Sequence, residues 1–360
     1  MNPLLRFIIL LLLPLPLPAT AAQITVHNPT ELRTALTTLK PGTHLKIAPG
    51  EYPGGHHLKN LQNLTIEALD PQNPPLFKDG NTAWQFSRCE NLTLRHLHIS
   101  GQKLNGINLD DGGHLDKPVS GITLEHLKIS NIGPQGNRDA IKCSGLTKLT
   151  IRHCHFNGWG GSAIDFVGCH DSLITHCHFE GKDGYSAHTG IQLKGGTSDI
   201  TIEHNQFING GQRPINAGGS TGLAYFRPQG AKYEAKSLII RHNTIQGSPC
   251  AIAFVGVDGA QFHHNTILFP TQWLFRILQE TTEPNFAPCR NVIIKNNHFV
   301  YHRASLRSDI NIGSGTQPET FQFDGNTWIA EDQPQASQPK LPTQEKNATY
   351  GIDPRKTPRK

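Results

Sequence analysis

From residue 84 onward two short phrases alternate along the chain. The first runs apolar, polar, His or Asn, any residue, polar, apolar, as in Leu94-Arg95-His96-Leu97-His98-Ile99 and Ile151-Arg152-His153-Cys154-His155-Phe156. It recurs around His126, His176, His204, His242, His264 and Asn296. Apolar and polar residues alternating on both sides of a polar corner predict two short strands meeting at a turn.

The second phrase falls between copies of the first: Trp84-Gln85-Phe86, Ile107-Asn108-Leu109, Ile141-Lys142-Cys143, Ile164-Asp165-Phe166, Ile191-Gln192-Leu193, Ile215-Asn216-Ala217, Ile252-Ala253-Phe254, Phe275-Arg276-Ile277 and Ile310-Asn311-Ile312. Side chains alternate across a strand, so the flanking residues point inward and the middle one outward. The step from the middle residue to the next corner is 11 or 12 residues except after Asn108, Asn216 and Arg276, where it is longer. All three insertions therefore leave from the same corner of their coils. Stacked coils keep such a register, and unrelated hairpins do not.

The two ends differ from this repeat. Arg6, the apolar run 7–17 and the small residues Ala19-Thr20-Ala21 read as a secretory leader over residues 1–22. That run is too short for the roughly 20 residues a spanning helix needs, so an exported protein, secreted or periplasmic, without a membrane span is expected. Residues 29–39 have the pattern of an amphipathic helix that would cap the open end of the stack. Residues 331–360, rich in Pro, Gln and Lys, are expected to form a disordered tail, leaving one domain over residues 23–330.

The net charge of +5 accompanies only 17% charged residues, so it suits acidic partners without marking a nucleic-acid surface. The seven cysteines lack paired CxxC spacing; they are expected to be buried hydrophobes, with Cys154 and Cys177 close enough for either a disulfide or two packed thiols. The column of His96, His126, His153, His176, His204, His242 and His264 spreads along an axis instead of converging on a point. It is expected to act by stacking, so no metal and no cofactor are implied.

Coils of about 23 residues, Gly-rich corners and an Asn column (Asn205, Asn243, Asn265, Asn297) resemble the pectin-lyase-like β-helix family. The resemblance implies an all-β, right-handed parallel β-helix solenoid of about nine coils with an N-terminal capping helix.

Candidate chemistry sits on the outward stripe. Strands in adjacent coils stack about 4.8 Å apart, which brings Lys142, Asp165, Gln192, Lys194 and Asn216 within about 15 Å of one another. Asp110, Ser144, Val167, Lys194 and Gly218, two residues beyond the stripe, are also expected to face out. The insertion over residues 219–236 adds Tyr225, able to stack on a sugar, and Arg227, able to hold a carboxylate in bidentate fashion.

The segment Gly190-Ile191-Gln192-Leu193-Lys194, followed one coil later by Arg213-Pro214-Ile215-Asn216, resembles chondroitinase-B-like and alginate-lyase enzymes. That resemblance implies Lys194 as base and Arg213 as its assistant. Ala187 and Thr189 stand where those enzymes place calcium-binding acids, so a calcium ion is not implied. Asp110-Asp111-Gly112-Gly113-His114 is similar to elements of polygalacturonase-type hydrolases, whose other motifs are absent.

The expectation is a lyase acting on an acidic polysaccharide by β-elimination. Catalysis is assigned to Lys194, Arg213 and Asp165, and substrate binding to Asn108, Asp110, Lys142, Gln192, Asn216, Tyr225, Arg227 and Arg276. The rivals are an inverting hydrolase using Asp110 with Asp165 and a glycan-binding protein without catalysis.

Overall fold

The computed structural model describes residues 22–353, so all of the expected leader except Ala22 lies outside the described residues. Among the described residues no helix is long and apolar enough to cross a membrane. Among the described residues three parallel sheets of 10, 12 and 14 strands wind around one core, and the coils over residues 44–312 each lend a strand to every sheet. The helix Pro29–Thr38 covers the first coil with Leu32 and Ala35, and Asn28 caps it by accepting from the Thr30 and Glu31 amides.

Register is kept from coil to coil. Ile107, Ile141, Ile164, Ile191, Ile215, Ile252 and Phe275 stand in one inward column. On another sheet Phe156, Phe179 and Phe207 stack with ring centroids 4.8 and 4.6 Å apart. The 10-stranded sheet holds one strand more than the repeat predicts, His56–Lys59. Its inward position carries His56 packed 4.5 Å from Trp84, which an apolar pattern does not reveal.

The repeated corner explains the histidines. Each of the seven, and Asn296 after them, has φ between 53° and 56°. That left-handed conformation is one His and Asn adopt more readily than most side chains. Successive ring centroids lie 4.8–5.2 Å apart, stacked except for the tilted pair His153 and His176.

One residue after each of the last four corners, His204, His242, His264 and Asn296, sits an inward polar ladder. Asn205, Asn243, Asn265 and Asn297 each donate from Nδ2 to the next Asn Oδ1 at 2.9–3.1 Å, and the ladder continues to Asn326. Cys177 precedes it in the same position, with its amide on Asn205 Oδ1 at 2.9 Å. All seven cysteines are buried and free, so Cys154 and Cys177 are packed thiols.

The end of the chain departs from expectation. Residues 331–353 are not a loose tail: Thr349–Tyr350 adds a strand to the 12-stranded sheet, and Tyr301 donates to the Ser337 carbonyl at 2.6 Å. Glu345 ends the ladder by accepting from Asn326 Nδ2 and Trp328 Nε1, both at 2.7 Å. Asn326 would otherwise leave buried donors unpaired, and composition alone carries no sign of that need.

The stacked corner generates a prediction about acid. His126 and His153 are exposed at their outer edge, but partial desolvation in the stack, then the neighbouring histidines, hold both below the ordinary imidazole pKa, and desolvation with His264 beside it lowers His263 to about 4. A group depressed on folding contributes stability above its unfolded value near 6.5 and loses it as pH falls. The melting temperature should therefore drop from pH 7 to pH 4.5. His153→Asn, which puts at that corner the residue type found at position 296, should drop less. Identical pH profiles for the two proteins would contradict the account.

Candidate functional site

Five strands of the 10-stranded sheet form the floor of the groove: β1 (Asn105–Asp110), β2 (Ile141–Ser144), β3 (Ser162–Val167), β4 (Thr189–Lys194) and β5 (Arg213–Gly218). Their register aligns Asn108, Lys142, Asp165, Gln192 and Asn216 in one outward column, continued by Ala253, Arg276 and Asn311. Asp110, Ser144, Val167 and Lys194 make the second column. Gly218 does not continue it, because a bulge after Gln192 sets Gly218 opposite Leu193.

A third column lies three residues upstream: Asn105, Asp139, Ser162, Thr189 and Arg213. Its members reach forward to the stripe. Asn105 Nδ2 donates to Asn108 Oδ1 at 3.0 Å, Lys142 Nζ to Asp139 Oδ2 at 2.9 Å, and Arg213 Nη1 to Asn216 Oδ1 at 3.2 Å. Asp139 is the residue sequence reasoning missed. The offset it shares with Arg213, three residues before the stripe, was the available signal.

Charge concentrates on Asp165, whose side chain is 0% exposed. Lys142 Nζ donates to its Oδ2 at 2.6 Å, and Lys194 Nζ lies 3.2 Å from its Oδ1. The second contact is an ion pair without hydrogen-bond alignment, since Oδ1 has no hydrogen-bond partner. Burial, then Asp165, push the Asp139 carboxyl above the usual carboxylate range. For Lys142 burial acts downward, but the two aspartates outweigh it and hold the ammonium well above its ordinary value. Lys142 is thus a fixed cation between two carboxylates.

The neighbouring carboxamides are spent on each other and on the backbone. Gln192 Nε2 donates to the Gly218 carbonyl at 2.5 Å, and Asn216 Nδ2 to Gln192 Oε1 at 3.0 Å. Both are buried, so they shape the floor more than they offer free donors. Asp110 accepts from the Gly112 amide at 2.8 Å and Ser87 Oγ at 3.2 Å. Farther along, Arg213 Nη1 lies 3.4 Å from the Glu280 carboxylate. Arg276 has no carboxylate partner among the described residues; it donates to Asn311 at 2.9 Å, and its guanidinium carbon is 4.6 Å from the centre of the Trp273 ring.

The three insertions, residues 111–118, 219–234 and 279–289, join along one flank into a wall. Arg227 is its latch, donating from Nε to Asp111 Oδ2 at 2.5 Å and from Nη2 to Asp111 Oδ1 at 3.2 Å, with Nη1 on the Tyr225 carbonyl at 2.8 Å. The pair is buried, so the expected role of Arg227 as a clamp for a substrate carboxylate is corrected: its guanidinium is already occupied. A Cβ at Gly168, where φ is +59°, would lie 2.3 Å from the Arg227 Cβ, so the corner under the latch needs glycine. Glu234 ties the wall together, accepting from the Gly195 amide, Thr221 Oγ1 and Thr281 Oγ1 at 2.8, 2.8 and 2.6 Å. Tyr225 stands on this wall, 65% exposed.

Comparison with known proteins bears on the fold. Residues 84–267, about half of the 360-residue chain, match the family model described as a right handed beta helix region, and the chain belongs to that family. No curated protein matches the sequence. Among solved structures, the alginate lyase from Paenibacillus sp. str. FPU-7 aligns over 83% of this chain and 99% of its own, with 17% identity and a TM-score of 0.55. The endo-xylogalacturonan hydrolase from Aspergillus tubingensis aligns over 92% of this chain and 100% of its own, with 12% identity and a TM-score of 0.59. The GH136 lacto-N-biosidase from Eubacterium ramulus aligns over 88% of this chain but 64% of its own, with 15% identity and a TM-score of 0.56. At these identities the likeness is one of fold.

The latch is testable by itself. Asp111→Ala leaves the Arg227 guanidinium buried without its counter-charge, which should cost about 3–5 kcal/mol and lower the melting temperature. A melt superimposable on wild type would mean that the wall does not depend on this pair.

Proposed function

We propose that the groove binds an acidic polysaccharide outside the cytoplasm and cleaves it at a uronate by β-elimination. Both lyases and hydrolases occur among the fold neighbours, so the choice rests on the floor itself. The observation that carries it is Asp165, a fully buried carboxylate shared by two lysines, only one of which has a second carboxylate.

Lys142 is locked between Asp139 and Asp165 and stays charged. Lys194, partly exposed and held only by Asp165, is the amine placed to exchange a proton with the groove. As a neutral amine it removes the proton at C5 of the uronate. The C5–H electron pair forms the C4–C5 double bond, the C4–O bond breaks, and the departing oxygen takes a proton from water. Removing a proton beside a carboxylate requires that charge to be offset. Lys142 and Arg213 supply cations along the path, and Arg276 meets a later residue of the chain.

The hydrolase reading is weaker for a physical reason. An inverting pair needs two carboxyls about 6.5–9.5 Å apart with a water between them. Asp165 is enclosed by the side chains of Lys142 and Lys194 and has no solvent-exposed surface.

Lys194→Ala should lower kcat on a uronate-containing polysaccharide by roughly 10²–10⁴, read as ultraviolet absorbance of the unsaturated product, without lowering the melting temperature. Arg213→Ala should raise KM more than it lowers kcat. Lys142→Ala is a poorer probe, since it strands the buried Asp139 carboxylate and leaves Asp165 with Lys194 alone. Normal turnover in the Lys194 variant would remove that residue from the mechanism, and binding without product from any acidic glycan would leave a binding groove only.

A further inference from the structure

On the 12-stranded sheet, away from the groove, two adjacent coils bring three metal-ligating side chains together. His155 and His178 are in register on neighbouring strands, and Glu180 lies two residues beyond His178 on the same face. Their ligand atoms all fall within 4.8 Å of one another, the one such cluster among the described residues. His155 Nε2 is 3.8 Å from Glu180 Oε2, and the two imidazole centroids are 4.8 Å apart.

The surroundings orient these donors. Gln206 Oε1 lies 3.2 Å from His178 Nδ1; taking the proton there leaves Nε2 with its lone pair free. Asn157 Nδ2 donates to Glu180 Oε2 at 3.1 Å and fixes the carboxylate. Outer partners of this kind set the tautomer of a ligating histidine and the direction of a ligating carboxylate. Both act here from in-register positions, Gln206 opposite His178 and Asn157 opposite Glu180.

We propose that His155, His178 and Glu180 bind a divalent first-row transition ion of the zinc class. Two imidazoles and one carboxylate suit zinc, with a fourth position open to water. Such ligands sit about 2.0–2.2 Å from the ion, so the donors must close in slightly. The three side chains are exposed or half-buried, so each has room to turn toward a shared ion. Lys128, in register with His155 one coil earlier, opposes a cation, and the Glu180 charge offsets it. The ion joins two coils, so its effect is stabilisation of the stack without involvement of the groove.

The histidine column is the competing explanation for any zinc bound, which sets the controls. Zinc titrated calorimetrically into the full chain should show one site and raise the melting temperature. His178→Gln, which removes a ligand, should abolish the calorimetric site, and Gln206→Ala should weaken binding by about 10- to 100-fold, the range of outer-partner losses. His204→Asn, in the stacked column, should bind as wild type. Activity should be the same with and without zinc. Absence of binding at 100 µM zinc, or loss of binding in the His204 variant with retention in the His178 variant, overturns the proposal.

Discussion

Everything in this protein depends on parallel strands kept in register from coil to coil. Each side chain sits about 4.8 Å from its counterpart in the next coil, so residues distant in sequence line up in columns. Inward columns of Ile and Phe form an apolar core, and the Asn ladder pairs the buried polar groups at one corner. The same register that packs the inside decides what faces out. Lys142, Asp165, Gln192 and Asn216 meet because Ile141, Ile164, Ile191 and Ile215 do.

That arrangement explains how a charged site stands on a β-helix floor. A buried carboxylate is costly unless its charge is met. Asp165 is met twice, and Asp139 shares one of its lysines. Arg213 faces Glu280, whereas Arg276 has no carboxylate partner among the described residues, so it offers a polyanion an unpaired cation on the floor. The wall of insertions is built on the opposite principle, with Arg227 and Asp111 closed on each other and Glu234 held by amides and hydroxyls.

The fold was legible because its signals are periodic: alternation gave the strands, spacing gave the coils, and the three long steps gave the wall. The stripe followed from the same logic, residue by residue. What the sequence concealed was pairing. Arg227 looked like a free clamp because nothing in a linear reading connects it to Asp111, 116 residues away. Asp139 was hidden just outside its phrase, and Gly218 left its column through a bulge of one residue. The segment after residue 330 has a polar composition that suggests disorder. Yet one of its carboxylates, Glu345, completes the Asn ladder.

The most direct test of the central claim is a crystal structure of Lys194→Ala with a bound oligouronate, in which turnover is blocked and the chain stays in place. The account predicts the sugar lying along the helix axis across β2 to β5. One carboxylate should be within ion-pair reach of Arg213, and one C5 should face the space left by the missing amine. An oligouronate bound to another face, or lying in the groove with its carboxylates turned away from the stripe, would contradict it.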